Sequence, residues 1–323
     1  MEAARRTPGR AVLLFVTGRC PVGCAHCSVD SRRDSPGPAD LVLFEELVEG
    51  IAGTPGIVMV GITGGEPFTA RRALVLAAGR LAAAGKLLVL YTSGVWATSA
   101  HPPAWITEVL GLCSCVVLST DSYHSDGVPP ERFARAARAV CDAGACLVVQ
   151  TLDAPGQAEA ARLLLARAFG PGWRARADLR QVPLLGYGRG AGLTAGRPAV
   201  PGGQFGRCTL ASAPVVRYDG RISACCNEAV IMGAGPAALR RTARTRQQVR
   251  SVLTSLAADP YLTAIGSAGL GPLTAVAGWR DLAARPFPGI CALCWRMLRT
   301  AGEPGESAVL ALLAGPSRSE RAS

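Results

Sequence analysis

The sequence predicts an α/β fold: a partial (β/α)6 TIM-like barrel followed by a small C-terminal domain with a β-hairpin and a helix. From residue 11 to about 190, six short runs rich in Val, Ile and Leu alternate in series with amphipathic stretches. The runs do not alternate apolar and polar residues, which indicates strands buried on both faces of a parallel sheet. Hydrophobic residues make up 49% of the chain and charged residues 18%, a balance that excludes a wholly disordered protein.

The predicted elements follow one another along the chain. Strands are expected over residues 11–16, 57–62, 87–91, 115–119, 147–152 and 179–184. Helices are expected over residues 41–52, 70–84, 103–110, 130–143 and 157–168, with start signals at Thr69 and at Pro129-Pro130-Glu131. Because ligands bind at the carboxyl ends of the strands in such sheets, polar residues that follow the strands are the candidate site residues.

A change of composition to Gly, Arg, Ala and Pro near residues 186–201 predicts a domain boundary. Beyond it, Asp219-Gly220 joins two extended runs, 213–218 and 221–225, which is a strong hairpin signal. A helix is expected over 236–256. The predicted division is an N-terminal tail (1–10), a core (11–195), a second domain (196–300) and a C-terminal tail (301–323), in which 307–313 could form a short helix.

Charge and hydropathy restrict the class of protein. The chain has 34 Lys and Arg against 23 Asp and Glu, but the basic residues are scattered and aromatics make up only 5%, so a nucleic-acid partner is not expected. A solvated basic surface, or one that steers an acidic partner, fits better. No apolar run approaches the roughly 18 residues of a spanning helix, and the N-terminal apolar stretch is too short for a signal peptide. We therefore expect a cytoplasmic protein without membrane contact, and the closely spaced ones among its 12 cysteines indicate metal or redox chemistry.

The first chemical motif is a C-x3-C-x2-C loop, Cys20, Cys24 and Cys27, directly after the first predicted strand. Thiolates at this spacing can face one soft metal site, either zinc or an iron–sulfur cluster. Three thiolates on a four-iron cube leave one iron open for chemistry. His26 is a candidate fourth ligand, although its adjacency to Cys27 makes that geometry awkward.

The second motif, Gly64-Gly65-Glu66-Pro67, follows the second strand, and its glycines would let the backbone approach a ligand closely. With the cysteine loop one strand earlier, it resembles the leading signatures of the radical S-adenosylmethionine (radical SAM) superfamily. The resemblance covers about residues 11–190. It implies a 4Fe-4S cluster on the three cysteines, with S-adenosylmethionine (SAM) chelating the open iron. Reduction would then release a 5′-deoxyadenosyl radical that abstracts a hydrogen atom from the substrate.

The resemblance also implies cofactor contacts at the ends of later strands. His26 stands where the family usually has an aromatic residue near adenine, and the loop 185–189 resembles one that lies near adenine. The residues implied to bind SAM are His26, Gly64, Gly65, Glu66, Pro67, Ser93, Ser119, Gln150 and Gly186. Separately, Asp121, Tyr123 and His124 follow the fourth strand and are candidates for substrate contact or acid–base catalysis, or else for a local turn and cap.

A further set of cysteines lies in the second half of the chain: Cys208, Cys225, Cys291 and Cys294. Taken alone, four thiolates favour a structural zinc ion. Beside a radical SAM core, the C-x11-G-x4-C spacing resembles the shorter Twitch form of the SPASM/Twitch extension, which implies a second, auxiliary 4Fe-4S cluster. Gly220 selects Cys225 over Cys226 as the ligand. Cys226 is then either a catalytic hydrogen-atom donor or a buried small residue, while Cys113, Cys115, Cys141 and Cys146 are expected to pack as apolar residues.

Together, the two resemblances imply a radical SAM enzyme of oxidoreductase type. An auxiliary cluster favours an oxidative outcome, a cross-link or dehydrogenation of a ribosomal peptide in natural-product biosynthesis. Dehydrogenation or epimerisation of a small molecule such as an aminocyclitol or sugar, a radical enzyme acting on nucleic acid, and a non-catalytic zinc or iron–sulfur module are the alternatives. The expected partners are an acidic flavodoxin- or ferredoxin-like electron donor and, because the first strand begins by residue 11, a separate leader-peptide-binding protein rather than a fused one.

Overall fold

A computed structural model describes residues 4, 7–194, 198–211 and 213–299. The predicted C-terminal tail, its short helix over 307–313, the boundary at 195–196 and residues 1–3, 5 and 6 of the predicted N-terminal tail lie outside the described residues. Eleven strands are seen in this part of the chain: β1 (Ala11–Phe15), β2 (Met59–Thr63), β3 (Leu87–Thr92), β4 (Cys115–Ser119), β5 (Cys146–Leu152), β6 (Ala177–Val182), β7 (Val200–Pro201), β8 (Val215–Arg217), β9 (Arg221–Ser223), β10 (Arg240–Thr242) and β11 (Pro286–Phe287).

Helices connect the strands. They are α1 (Leu41–Ala52), α2 (Arg71–Ala83), α3 (Ala104–Gly111), α4 (Pro130–Asp142), α5 (Gln157–Phe169), α6 (Glu228–Ile231), α7 (Arg246–Ala257), α8 (Pro260–Ser267), α9 (Leu270–Leu273) and α10 (Ile290–Met297). Short 3-10 segments lie at Pro67–Thr69, Trp173–Ala175, Gly188–Gly192, Gly202–Gln204, Ala237–Leu239 and Arg280–Leu282. Pro130 begins α4 as predicted. The backbone amide at the first helical position has no partner within the helix, so a proline there costs no hydrogen bond. At α2 the capping residue is Ala70, without a side-chain cap, so the signal at Thr69 did not mark the boundary.

The strands form one nine-stranded sheet in the order β10-β9-β8-β1-β2-β3-β4-β5-β6, and β7 and β11 form a separate pair. Strands β1 to β6 are parallel throughout, so their carboxyl ends meet at one edge of the sheet. The side chains of β1 to β5 are mostly buried on both faces, which explains why their sequences read as continuous apolar runs. Strand β6, at the edge of the sheet, is largely exposed and more polar. The predicted α/β fold class is confirmed.

The hairpin is continuous with this sheet. Asp219 and Gly220 turn the chain between β8 and β9, and Gly220 has the positive φ of 83° that the turn requires. Strand β8 then pairs in parallel with β1, Leu13 opposite Val215. The predicted helix over 236–256 is wrong in its first half. Residues 240–242 form β10 instead, since they pair with β9, and the helix begins only after the Thr245 cap.

Helices α1 to α5 cover the sheet and bury a core in which Phe44, Leu47, Leu74, Leu90 and Phe133 are among the largest fully enclosed side chains. Cys113 and Cys115 are buried as predicted, whereas Cys141 is only partly buried. The packing prediction is wrong for Cys146, which is exposed at the start of β5. Within the described residues, none of the helices has both the length and the apolar character to cross a bilayer.

Candidate functional site

The cysteine loop leaves the carboxyl end of β1 and returns on itself. The Cys20 amide donates to the Arg32 carbonyl at 2.9 Å, and the Cys27 amide donates to the Cys24 carbonyl at 3.2 Å. The Ser31 amide donates to the Cys27 sulfur at 3.3 Å. All three cysteines are free thiols, and burial raises the pKa of Cys20 to about 11. A thiol in such surroundings loses its proton when a metal cation compensates the charge, so the donor set fits a metal centre.

Gly64 and Gly65 press against the start of this loop. The Gly65 amide donates to the Thr17 carbonyl at 2.6 Å, and the Glu66 amide donates to the Arg19 carbonyl at 2.7 Å. A Cβ added at Gly64 would lie 2.5 Å from the Thr17 oxygen, and one added at Gly65 would lie 2.3 Å from the Arg19 oxygen. The glycines are therefore required to dock the second motif on the first one, a packing reason that the sequence did not show.

Glu66 is a buried brace. Its carboxylate accepts hydrogen bonds from the Thr92 hydroxyl at 2.8 Å, from the Ser93 amide at 2.9 Å and from the Ser93 hydroxyl at 2.5 Å. Burial raises the pKa of the Glu66 carboxyl, while these donors oppose that shift. The side chain thus fixes the carboxyl end of β3 next to β2, and it holds Ser93 in place at the rim of the site.

Arg189, in the 3-10 segment after β6, clamps the cysteine loop from the far side of the barrel. Its guanidinium donates to the Cys24 carbonyl at 2.9 and 2.7 Å, to the Ser31 carbonyl at 3.0 Å and to the Asp30 carboxylate at 2.7 Å. The Arg189 amide also donates to the Cys27 carbonyl at 3.0 Å. Sequence reasoning missed this role; the signal available was a charged residue in a glycine-rich loop at a strand end.

A cavity of about 280 Å³ opens at the carboxyl ends of β1 to β6. Its walls include the three cysteines of the loop and most of the predicted cofactor contacts. The predicted metal and cofactor residues in the lining are Cys20, Cys24, Cys27, His26, Gly64, Gly65, Ser93, Ser119 and Gln150, and the catalytic candidate His124 joins them. Glu66, Pro67 and Gly186 lie outside the lining, and so do Asp121 and Tyr123. Glu228, at the start of α6, is a lining residue that the sequence did not single out.

Asp121, His124 and His26 form a polar cluster beside Cys24. The Asp121 carboxylate lies 2.8 Å from Nδ1 of His124 and 3.4 Å from Nε2 of His26. The rings of His26 and Tyr123 stack at 4.8 Å. Burial acts to lower the pKa of His124, but hydrogen bonds to Asp121 and Cys24 raise it to about 10. The predicted local cap is present too, since Asp121 accepts from the Tyr123 and His124 amides at 2.8 and 3.2 Å.

A compact group for a single ion is present at the same place. One ligand atom each of Cys24, His26 and His124 lies within 4.8 Å of the others, the one such group found among the described residues. The side chain of His26 therefore lies close to Cys24, within the range of a shared metal ion. This mixed set of nitrogen and sulfur donors is typical of zinc.

The second set of cysteines converges on a separate, apolar pocket. Cys208, Cys225, Cys291 and Cys294 line it together with aliphatic side chains. Burial raises the pKa of all four thiols, that of Cys294 to about 12. Burial disfavours the charged thiolate form unless a cation lies beside it. These four thiols therefore fit a site where a metal centre supplies that positive charge. Cys226 lines neither pocket; its sulfur lies 3.8 Å from the Leu210 carbonyl oxygen.

Polar side chains contact the sulfurs of this second set. The Asn227 amide nitrogen donates to the Cys291 sulfur at 3.4 Å, and the Tyr261 hydroxyl donates to the Cys294 sulfur at 3.4 Å. Tyr187 also hydrogen-bonds Cys291. Because Tyr187 stands two residues before Arg189, one short loop after β6 contacts both cysteine sets.

Solved structures of other proteins share the fold of this chain. No protein-family model matches the chain, and neither does any curated protein. Streptococcus suis SuiB, solved bound to S-adenosylmethionine, is similar over 81% of this chain and 68% of its own, at 14% identity and a TM-score of 0.51. The structure of anSMEcpe with bound AdoMet and the Cp18Cys peptide is similar over 91% of both chains, at 13% identity and a TM-score of 0.50.

The fold is that of the radical SAM enzymes. In this fold the strand ends of the partial barrel carry the site, and here they carry the cysteine loop and the cavity beside it. Most of the residues predicted from the radical SAM resemblance therefore line the cavity at the strand ends, although their individual roles stay predictions.

Proposed function

We propose that the protein is a radical SAM enzyme. Cys20, Cys24 and Cys27 would hold a 4Fe-4S cluster, which with bound SAM would supply a 5′-deoxyadenosyl radical for hydrogen abstraction. The observation that carries the proposal is that all three thiols line one cavity together with Gly64, Gly65, Ser93, Ser119 and Gln150.

The chain's own groups suit a zwitterionic nucleoside ligand. Ser119 and Gln150 are direct neighbours on β4 and β5 and both face the cavity. Ser93 presents a hydroxyl at the end of β3, oriented by Glu66. The cavity lining contains no Lys or Arg among the described residues, so hydroxyl, amide and backbone groups would bind the ligand.

The second cysteine set supports an auxiliary 4Fe-4S cluster on Cys208, Cys225, Cys291 and Cys294. Four thiols in one apolar pocket form a complete set of cluster ligands. An auxiliary cluster favours an oxidative outcome, in which the substrate loses a hydrogen atom and then one electron and one proton. The reaction would be a cross-link or a dehydrogenation.

A ribosomal peptide is the proposed substrate, in natural-product biosynthesis. The support is that anSMEcpe, which shares the fold, was solved with a peptide bound. Oxidation of a small alcohol such as an aminocyclitol or a sugar is the runner-up. The net charge of +11 suits an acidic flavodoxin- or ferredoxin-like electron donor. A separate leader-peptide-binding protein would complete the peptide pathway.

The test is anaerobic reconstitution with iron and sulfide, followed by reduction in the presence of SAM. We expect about eight irons per chain, as two four-iron clusters require, and release of 5′-deoxyadenosine. Cys24→Ser should abolish nucleoside release and leave about four irons. Cys113→Ser, a buried cysteine away from both sets, is the matched control and should retain both properties. Undiminished nucleoside release by Cys24→Ser would contradict the proposal.

The compact group of Cys24, His26 and His124 favours one alternative, a non-catalytic zinc module. The same preparation separates the two. A colourless protein that retains one zinc ion after anaerobic reconstitution, and whose zinc is lost in His124→Ala, would support the alternative.

A further inference from the structure

Asn227 is held with its amide nitrogen on a cysteine sulfur. The residue caps α6, and its side-chain oxygen accepts a hydrogen bond from the Val230 amide at 3.2 Å. This cap fixes which end of the amide is the oxygen, so the nitrogen must be the end that faces Cys291 at 3.4 Å. Asn227 is almost fully buried, 1% exposed, which keeps water from competing for the sulfur.

Tyr261 approaches the same cysteine set from a different element. It lies in the first turn of α8, which begins at the Asp259 cap, and its hydroxyl donates to the Cys294 sulfur at 3.4 Å. Its ring packs edge-on against Trp279 at 5.9 Å, and the Trp279 indole donates to the Met297 carbonyl at 3.3 Å. The phenol is therefore aimed by packing rather than free to rotate away.

Both donors are neutral, and both point at sulfurs of one pocket that is otherwise apolar. Hydrogen bonds to cysteine sulfurs stabilise the reduced form of an iron–sulfur cluster, because that form carries one more negative charge. We propose that Asn227 and Tyr261 are positioning residues that raise the reduction potential of the auxiliary cluster. This inference rests on the auxiliary cluster of the proposed function and not on its SAM chemistry. A raised potential would suit that cluster to accept the electron that an oxidative outcome releases.

The experiment is a redox titration of the reconstituted full chain, followed by electron paramagnetic resonance. Addition of SAM identifies the cluster on Cys20, Cys24 and Cys27, since only a cluster with an open iron changes its signal on binding. Tyr261→Phe removes one hydroxyl and keeps the ring. At a fixed potential we expect about a tenfold fall in the reduced-to-oxidised ratio of the auxiliary cluster, which corresponds to about 59 mV for a one-electron couple.

Asn227→Asp is the second variant. It keeps the oxygen that caps α6 and replaces the donor at Cys291 with an acceptor, so the shift should have the same sign and be larger. Tyr218→Phe is the matched control, because Tyr218 is also a buried tyrosine but its hydroxyl interacts with Arg217 at 3.4 Å. Both clusters should titrate unchanged in this control.

The outcomes are distinct. A lowered auxiliary potential at full iron content, with the SAM-responsive cluster unmoved, supports the proposal. An unchanged auxiliary potential in Tyr261→Phe overturns it, and so does an equal shift of both clusters or a shift of the same size in Tyr218→Phe. If the wild-type protein releases no 5′-deoxyadenosine while the auxiliary shift is still observed, the proposed function fails and this inference stands.

Discussion

The contact between Arg189 and the cysteine loop gives the sharpest test of the site's architecture. In Arg189→Ala the Cys24 carbonyl loses two donors and the Ser31 carbonyl loses one. A hydrogen bond of this kind contributes about 1 kcal/mol net. Water replaces part of the loss, because 19% of the Arg189 side chain is exposed, so we expect the closed loop to lose about 2 kcal/mol. That corresponds to about a 30-fold larger population of the opened loop.

The assay is the rate at which iron passes from the reconstituted protein to a chelator in the absence of SAM. Arg189→Ala should release the iron of the first cluster about 30-fold faster than the wild type. Arg189→Lys should fall between them, since an ammonium keeps the charge but not the fork of donors. Arg162→Ala, which removes only an exposed ion pair with Glu159, is the control. Equal rates for wild type and Arg189→Ala would refute the role of the clamp.

Three further predictions concern the same site. Glu66→Gln places an amide donor opposite the buried donors of Thr92 and Ser93, so the free energy of unfolding should fall by about 1–3 kcal/mol. Denaturant titrations measure this change, and an unchanged midpoint would contradict the bracing role. Gly188 has a positive φ of 55°, and a Cβ at this position would lie 2.4 Å from the Cys27 carbonyl oxygen, so Gly188→Ala should lower iron incorporation. Gly192→Ala is the control and should leave iron incorporation unchanged, because a Cβ there meets no atom within 4 Å. In the iron-free protein the pKa of His124 is raised to about 10, so its stabilising contribution should be complete below about pH 6.5 and disappear as the pH rises through 10. Thermal melts across that range should show a decline that His124→Gln lacks, and parallel curves for both proteins would rule it out.

The parallel core was predictable because its signal is local. Strands buried on both faces give unbroken apolar runs, and each of β1 to β6 lies within a few residues of its predicted position. The turn at Asp219-Gly220 was predictable for the same reason, since a positive φ at that point favours glycine. The spacing of the cysteines predicted two metal sites, and each set does line a single pocket, although spacing alone left zinc and an iron–sulfur cluster both open.

What the sequence could not show are pairings between distant segments. Arg240–Thr242 reads as part of a helix and becomes a strand only because β9 offers a partner. Arg189 lies 165 residues from Cys24, so nothing near it in sequence announces the clamp. Glu66 belongs to a motif expected at the cofactor, yet its carboxylate turns inward to Thr92 and Ser93, an orientation set by tertiary packing.

The ladder between β1 and β8 has a consequence for how the chain folds. Residues 13–15 pair with residues 215–217, so β1 has neighbours on both sides only after β8, far downstream in the chain, has been made. A fragment cut near residue 195 would leave a row of unpaired amides and carbonyls along β1, a surface that promotes aggregation. The fragments on either side of this cut should therefore be soluble when they are produced together. When each is refolded separately and the two are then mixed, little native protein should form.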